Sequence, residues 1–183
     1  MPSDYSKASD EKIIKAVIHG DIQAYGELYE RYLDEIYRYV YYRAANHLEA
    51  EDLAQVVFIK AWEMILKKQP KKYNFRAFVY RIAHNLMVDR WRTQKQERSL
   101  EVENVESIPD PAPTPEQIML SNEESHNLAE AIRELEPRLQ HVFICRFING
   151  LSHAETAQTL GLTEGHVRVL QHRALKKIRV VIK

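Results

Sequence analysis

Apolar residues recur along this chain at three- and four-residue steps. Tyr25, Leu28, Tyr29, Tyr32, Ile36, Tyr39 and Val40 make one such series, and Phe75, Phe78, Val79, Ile82, Ala83 and Leu86 make another. At 3.6 residues per turn each series falls on one helical face, which predicts two amphipathic helices turned toward a core. No period-2 alternation bounded by turn residues occurs, so the expected class is all-α. Between the two series, residues 53–62 place apolar side chains on more than one stripe, too many for a helix resting on a single neighbour. Such a helix is either central in a bundle or docks part of its surface on another protein, and periodicity leaves both open. Asn46 with Glu49 three residues on can cap its start, where Glu49, Glu51 and Asp52 suit the helix dipole.

Helix breakers are few, and they cluster. Four of the seven prolines, Pro109, Pro111, Pro113 and Pro115, fall within seven residues. With Glu101, Glu103, Glu106 and Asp110 they make residues 99–114 too polar and too broken for a core, predicting an extended acidic linker between small helical domains at 1–98 and 115–183. The 26 basic and 26 acidic side chains cancel, which taken alone argues against a nucleic-acid binder and a polybasic membrane partner. By segment the cancellation disappears. Residues 71–98 and 137–183 each carry eight basic and two acidic residues, whereas 99–136 carry one and ten. Attraction between such blocks would favour a closed arrangement of the two domains.

Within the last basic block, Pro137 suits a first helical turn, and Leu139, Val142, Phe143 and Phe147 form an apolar face that stops at Asn149-Gly150. Ser152 and Glu155 make a capping box for the next helix. Small Ala157, Leu160, a left-handed Gly161, an inward Leu162, and Val167 with Leu170 then have the spacing of a helix-turn-helix, with Thr163 capping the second helix. In that motif the start of the second helix meets base edges in the major groove, a role that falls to Gly165, His166, Arg168, Val169 and His172. Arg173, Lys176 and Lys177 come later and are placed to meet phosphates. A helical hairpin with a solvated basic face has the same spacing.

In the first basic block Arg76, Tyr80, His84, Met87 and Trp91 line up away from the core stripe, with Arg81, Asn85 and Arg92 beside them. Cations interleaved with rings suit a single nucleic-acid strand, whose bases stack while its phosphates are neutralised. An ordinary surface helix with half-buried Tyr80 and Trp91 is the alternative. The five glycines build neither a P-loop nor a dinucleotide fingerprint, and no metalloenzyme motif occurs, so no cofactor, metal or catalytic residue is expected. Cys145, the single cysteine, forms no internal disulfide and reads as an inert core thiol. No apolar run nears the roughly 18 residues of a membrane span, and residues 1–10 lack a signal-peptide core, so a cytoplasmic location without membrane insertion is expected.

Three segments, in order, resemble the extracytoplasmic-function (ECF) group of sigma-70-type sigma factors. Glu49-Ala50-Glu51-Asp52-Leu53-Ala54-Gln55-Val56-Val57-Phe58-Ile59-Lys60-Ala61-Trp62 resembles the region that grips the clamp helices of the largest RNA polymerase subunit. The stretch from Phe75 to Leu86, with Asp89-Arg90, is similar to the segment that recognises and melts the minus-ten promoter element, and Leu135 to Ala174 resembles the domain that reads the minus-thirty-five element. The resemblance implies a non-catalytic initiation factor with two partners, core RNA polymerase (its largest and second-largest subunits) and promoter DNA; an anti-sigma factor is a family expectation. It implies Asp52, Gln55, Leu53 and Phe58 as polymerase contacts, and Arg76, Tyr80, Arg81, His84, Asn85, Trp91 and Arg92 as the minus-ten surface, with Asn85 and loop 67–74 taking a flipped base. The helix-turn-helix residues, from Thr163 to Lys177, become the minus-thirty-five surface. Val56 stands where an acidic residue is usual, the arginine run after Asp89 is thinned, and His166 and Val169 replace the commoner threonine and serine, so no promoter sequence carries over. A free-standing helix-turn-helix repressor or activator is the other function open to these residues.

Overall fold

Helix starts follow the side chains that satisfy their first amides. Ser9 caps α1 (Asp10–Ile18), and Asp21 caps α2 (Ile22–Tyr41) by accepting from the amides of Gln23 and Ala24 at 3.0 and 3.2 Å. Asn46 accepts from the Glu49 amide at 2.8 Å to open α3 (His47–Lys68), and Asn74 accepts from that of Ala77 at 3.0 Å to open α4 (Phe75–Leu100). After α5 (Glu123–Arg133), Pro137 begins α6 (Pro137–Phe143), which passes into a wide π-type turn at Ile144–Ile148. The capping box of Ser152 and Glu155 opens α7 (His153–Leu160), and Thr163 caps α8 (Glu164–Val181). The computed structural model describes residues 5–44, 46–68, 74–100 and 123–181, and over these the chain is helical, with no strand. Ser99 and Leu100 are helical in α4 rather than the start of a linker; residues 101–114 of that linker and 69–73 of the polar loop lie outside the described residues. Among the described residues no helix is long and apolar enough to cross a membrane.

Helices α1 to α4 form an N-terminal bundle around Val17, Leu28, Ile36, Val57, Phe58, Ala61, Ile65 and Phe75, all buried. Arg31 ties the N-terminal turn to it, donating to the carbonyls of Tyr5 and Ala8 at 2.7 and 2.8 Å while pairing with Asp10 and Glu27. Helices α5 to α8 form a second bundle around Val142, Ile144, Cys145, Leu151, Val167, Leu170, Ala174 and Ile178. The turn between α7 and α8 needs the left-handed conformation that Gly161 takes, at φ +66°, and the Leu162 amide then reaches back to the Ala157 carbonyl at 2.9 Å.

The two bundles press against each other, α7 lying on α4 and the π-type turn on α2. Much of the seam is polar. Arg76 donates to Glu35 at 2.9 Å, to Glu155 at 3.3 Å and to the Asn149 carbonyl at 2.9 Å, so one guanidinium joins both bundles. Asn149 in turn donates to Tyr80 Oη and to the Glu35 carbonyl, both at 2.6 Å.

Candidate polymerase and nucleic-acid surfaces

The surplus apolar face of α3 is resolved by which side its neighbours cover. Leu53 and Phe58 point inward, 7% and 2% exposed, so their side chains are core residues; Phe58 only floors a surface depression. That corrects the expectation that both contact polymerase directly. The outward stripe is Leu48, Asp52, Gln55 and Ile59, at helical spacing, with Ile59 57% exposed. Ile59, with Ile22 of α2 beside it, rims a shallow apolar depression of about 440 Å³ that also borders Gln55 and Trp62. The sequence pattern did not single out Ile59 and Ile22 as exposed apolar residues. The signal available was the Leu48/Asp52/Gln55/Ile59 spacing, hidden inside an apolar run.

The aromatic and basic residues of α4 divide into two groups. Arg81, Asn85, Trp91 and Arg92 are exposed along one edge. Arg76, Tyr80 and His84 are covered by the second bundle: Arg76 is held between Glu35 and Glu155, and Tyr80 is fully buried under Asn149, donating to Glu35 at 3.1 Å. In this closed arrangement those three are unavailable to a nucleic-acid strand, which corrects the picture of one continuous face. Met87, placed on the same face by the sequence, is a core residue.

Next along the seam, Tyr39, Arg43, His84 and His141 meet. Arg43 donates to His141 Nδ1 at 2.9 Å, and a guanidinium only donates, so this nitrogen accepts and carries no proton. Tyr39 Oη lies 2.9 Å from the same nitrogen and His84 Nδ1 lies 3.1 Å from it. Burial, reinforced by the Arg43 charge, pulls His84 down to about 4 and His141 well below the ordinary imidazole value. Both rings are therefore neutral at pH 7. Burial also pushes the Cys145 thiol behind them up to about 12, which keeps it protonated and unreactive.

The helix-turn-helix presents the residues that its spacing promised. Val167, Leu170, Ala174 and Ile178 face inward. Gly165, His166, Arg168, Val169, His172, Arg173, Lys176 and Lys177 are exposed, and Thr163 Oγ1 accepts from the His166 amide at 3.2 Å. Two of the cations rest on acids, Arg168 on Glu164 at 3.5 Å and Lys177 on Glu136 at 2.7 Å. Exposed pairs of this kind contribute about 0–1 kcal/mol and are readily exchanged for phosphate.

The model of sigma-70 region 2 matches residues 28–97, and that of sigma-70 region 4 matches residues 131–180. With the two helical bundles they define a transcription initiation factor of the sigma-70 type. The chain is 31% identical over 176 residues to the ECF RNA polymerase sigma factor BldN of Streptomyces coelicolor, covering 96% of this chain and 67% of that one. It is also 31% identical over 177 residues to SigW of Bacillus subtilis, covering 92% and 94%. The chain belongs to the ECF RNA polymerase sigma factors, which bind core RNA polymerase and direct it to promoter DNA. A match to region 2 ahead of the helix-turn-helix leaves a free-standing repressor or activator without support. The fold is similar to that of CnrH in complex with the cytosolic domain of CnrY, at a TM-score of 0.73 and 21% identity over 94% of this chain and 96% of that one. It is similar also to the sigma factor RpoE in complex with the anti-sigma factor NepR from Bartonella quintana, at 0.67 and 18% over 88% and 98%.

Proposed function

We propose that the chain directs initiation through three faces, two open and one partly covered. The outward stripe of α3, with Asp52, Gln55 and Ile59, docks on core polymerase, and Leu53 and Phe58 support it from behind. The exposed edge of α4, with Arg81, Asn85, Trp91 and Arg92, takes the minus-ten strand, and Arg76, Tyr80 and His84 join it once the second bundle swings away. Helix α8 reads the minus-thirty-five element: Gly165, His166, Arg168, Val169 and His172 meet base edges, Thr163 fixes the helix start, and Arg173, Lys176 and Lys177 meet phosphates. The domains are 1–98, extended by Ser99 and Leu100, and 115–183. The protein catalyses no reaction itself and works in the cytoplasm, where polymerase and promoters are. CnrH and RpoE were each solved with a bound protein partner, and an anti-sigma factor for this chain belongs to the same proposal.

The observation that carries the reading of α8 is the exposure of its base-side residues while its Val167/Leu170 stripe is buried. Arg168→Ala in the holoenzyme is expected to weaken specific promoter binding by roughly 1–3 kcal/mol and to relax one upstream base preference. Lys176→Ala is expected to lower affinity evenly across sequences and to flatten its salt dependence by about one counterion. Filter binding on a panel of upstream sequences separates the two; equal, sequence-blind losses would remove Arg168 from base readout.

A further inference from the structure

The seam between the bundles contains a cation, Arg43, that forms no ion pair with a described carboxylate; the nearby Glu49 is engaged by Arg90. Arg43 has its Nε buried without a partner, its Nη1 donates to a neutral imidazole, and no described carboxylate pairs with it. A guanidinium taken out of water is costly unless an anion compensates it. Burial accordingly lowers its pKa, against the opposing effects of Tyr39, which also hydrogen-bonds it, and of Cys145.

Arg43 also opens on a cleft of about 510 Å³ that both bundles build. The N-terminal bundle contributes Arg43, His84, Trp91 and Arg92 to its wall, and the second bundle contributes Arg138 and His141. None of the described residues lining it is a carboxylate. Three guanidiniums, two imidazoles and an indole, converging without an acid on a volume of small-ligand size, form a receptor for concentrated negative charge. Arginine forks match phosphate oxygens two at a time, which favours phosphate over a halide.

We propose that this cleft binds a small phosphate-bearing anion that bridges the two bundles and holds them closed. The anion supplies the counter-charge that Arg43 lacks on one side and engages Arg138 on the other. Because Arg76, Tyr80 and His84 are covered only while the bundles are closed, an anion held here keeps part of the α4 surface out of reach of DNA. That regulatory consequence rests on the promoter-binding reading of α4; the binding site does not.

Titration calorimetry of the full chain with sodium pyrophosphate at low ionic strength tests the site without DNA or polymerase. Pyrophosphate is expected to bind saturably with one site per chain, whereas sodium chloride at matched ionic strength gives no saturable heat. Arg43→Gln and Arg138→Gln, one from each bundle, are each expected to weaken binding by at least tenfold, with circular dichroism confirming an intact helical fold. Arg138 is exposed, so its replacement tests the site even where Arg43→Gln perturbs packing. Pyrophosphate heats no different from those of chloride would overturn the proposal, and so would undiminished binding by Arg138→Gln. A replicate with ATP distinguishes a nucleotide from free phosphate: tighter binding than pyrophosphate supports a base beside Trp91, and equal binding supports recognition of phosphate alone. Failure of this titration leaves promoter-directed initiation standing, because neither readout depends on transcription.

Discussion

Lowering the pH from 7.5 to 5.5 in phosphate-free buffer is expected to shift the balance between closed and open arrangements about a hundredfold toward open. Two imidazoles carry the effect. In the closed form His84 is pulled down to about 4 and His141 well below the ordinary imidazole value, because burial beside Arg43 disfavours their cations. In the open form both face water and return toward the ordinary value of about 6.5. Groups whose closed-state pKa is depressed in this way favour closure while they are neutral, above that open-state value. The contribution is lost as pH falls from there toward the closed-state values. At pH 5.5 the open form has gained nearly one proton per ring and the closed form almost none, so each ring favours opening by about tenfold. Around the pair stand Tyr39 of α2, Arg43 just beyond its end, Cys145 of the π-type turn, Arg92 of α4 and Arg138 of α6, with no described carboxylate in contact to offset the new charge. Small-angle scattering should show the radius of gyration increasing over this range while far-ultraviolet circular dichroism keeps its helical signal. The His84→Gln/His141→Gln double variant should lose most of the response. A constant radius down to pH 5.5, or equal expansion in the double variant, would remove the histidine pair from control of the seam.

The second large effect concerns α3. Ile59→Asp places a charge in the middle of the outward apolar stripe at a position 57% exposed, so the free protein should keep its fold and stability to within about 0.5 kcal/mol. Binding to core polymerase should nonetheless fall by about a hundredfold, because an apolar anchor is lost and an unpaired carboxylate must be desolvated in the complex. Leu53→Ala should behave in the opposite way. It empties a buried site, with a cost of about 2–5 kcal/mol in stability, and changes the docking surface only indirectly. Fluorescence titration of labelled protein with core enzyme, beside denaturant unfolding of each variant, separates the two. Undiminished polymerase affinity in Ile59→Asp would move the docking face elsewhere.

What could be read from the sequence follows the range of the interactions involved. The helix-turn-helix was legible because its determinants are local: Ser152 and Glu155 cap one helix from three residues apart, and Gly161 takes its positive φ within a turn closed by Ala157 and Leu162. The same holds for Asn46 at the start of α3. Along α3 itself the apolar run 53–59 has no single period, so the choice between Phe58 and Ile59 as the outward residue depended on where α2 packs, which no local pattern encodes. Tyr80 shows the larger limit. Its aromatic ring and basic neighbours suit a nucleic-acid face, yet Asn149, 69 residues later, covers it. The meeting of Arg43, His84 and His141 is likewise a product of two bundles closing, and each residue looks unremarkable on its own helix. Charge blocks suggested a closed form, and among the described residues the contacts across the seam are specific hydrogen bonds through Arg76, Asn149 and His141.

Run-off transcription with purified core RNA polymerase, on templates carrying the upstream regions of the source genome, tests the central claim most directly. Discrete promoter-specific transcripts are expected only when the protein is added, and Ile59→Asp should abolish them at concentrations where the unaltered chain supports them. Core enzyme that yields the same transcripts with and without the protein on every template would contradict its role as a promoter-directing factor.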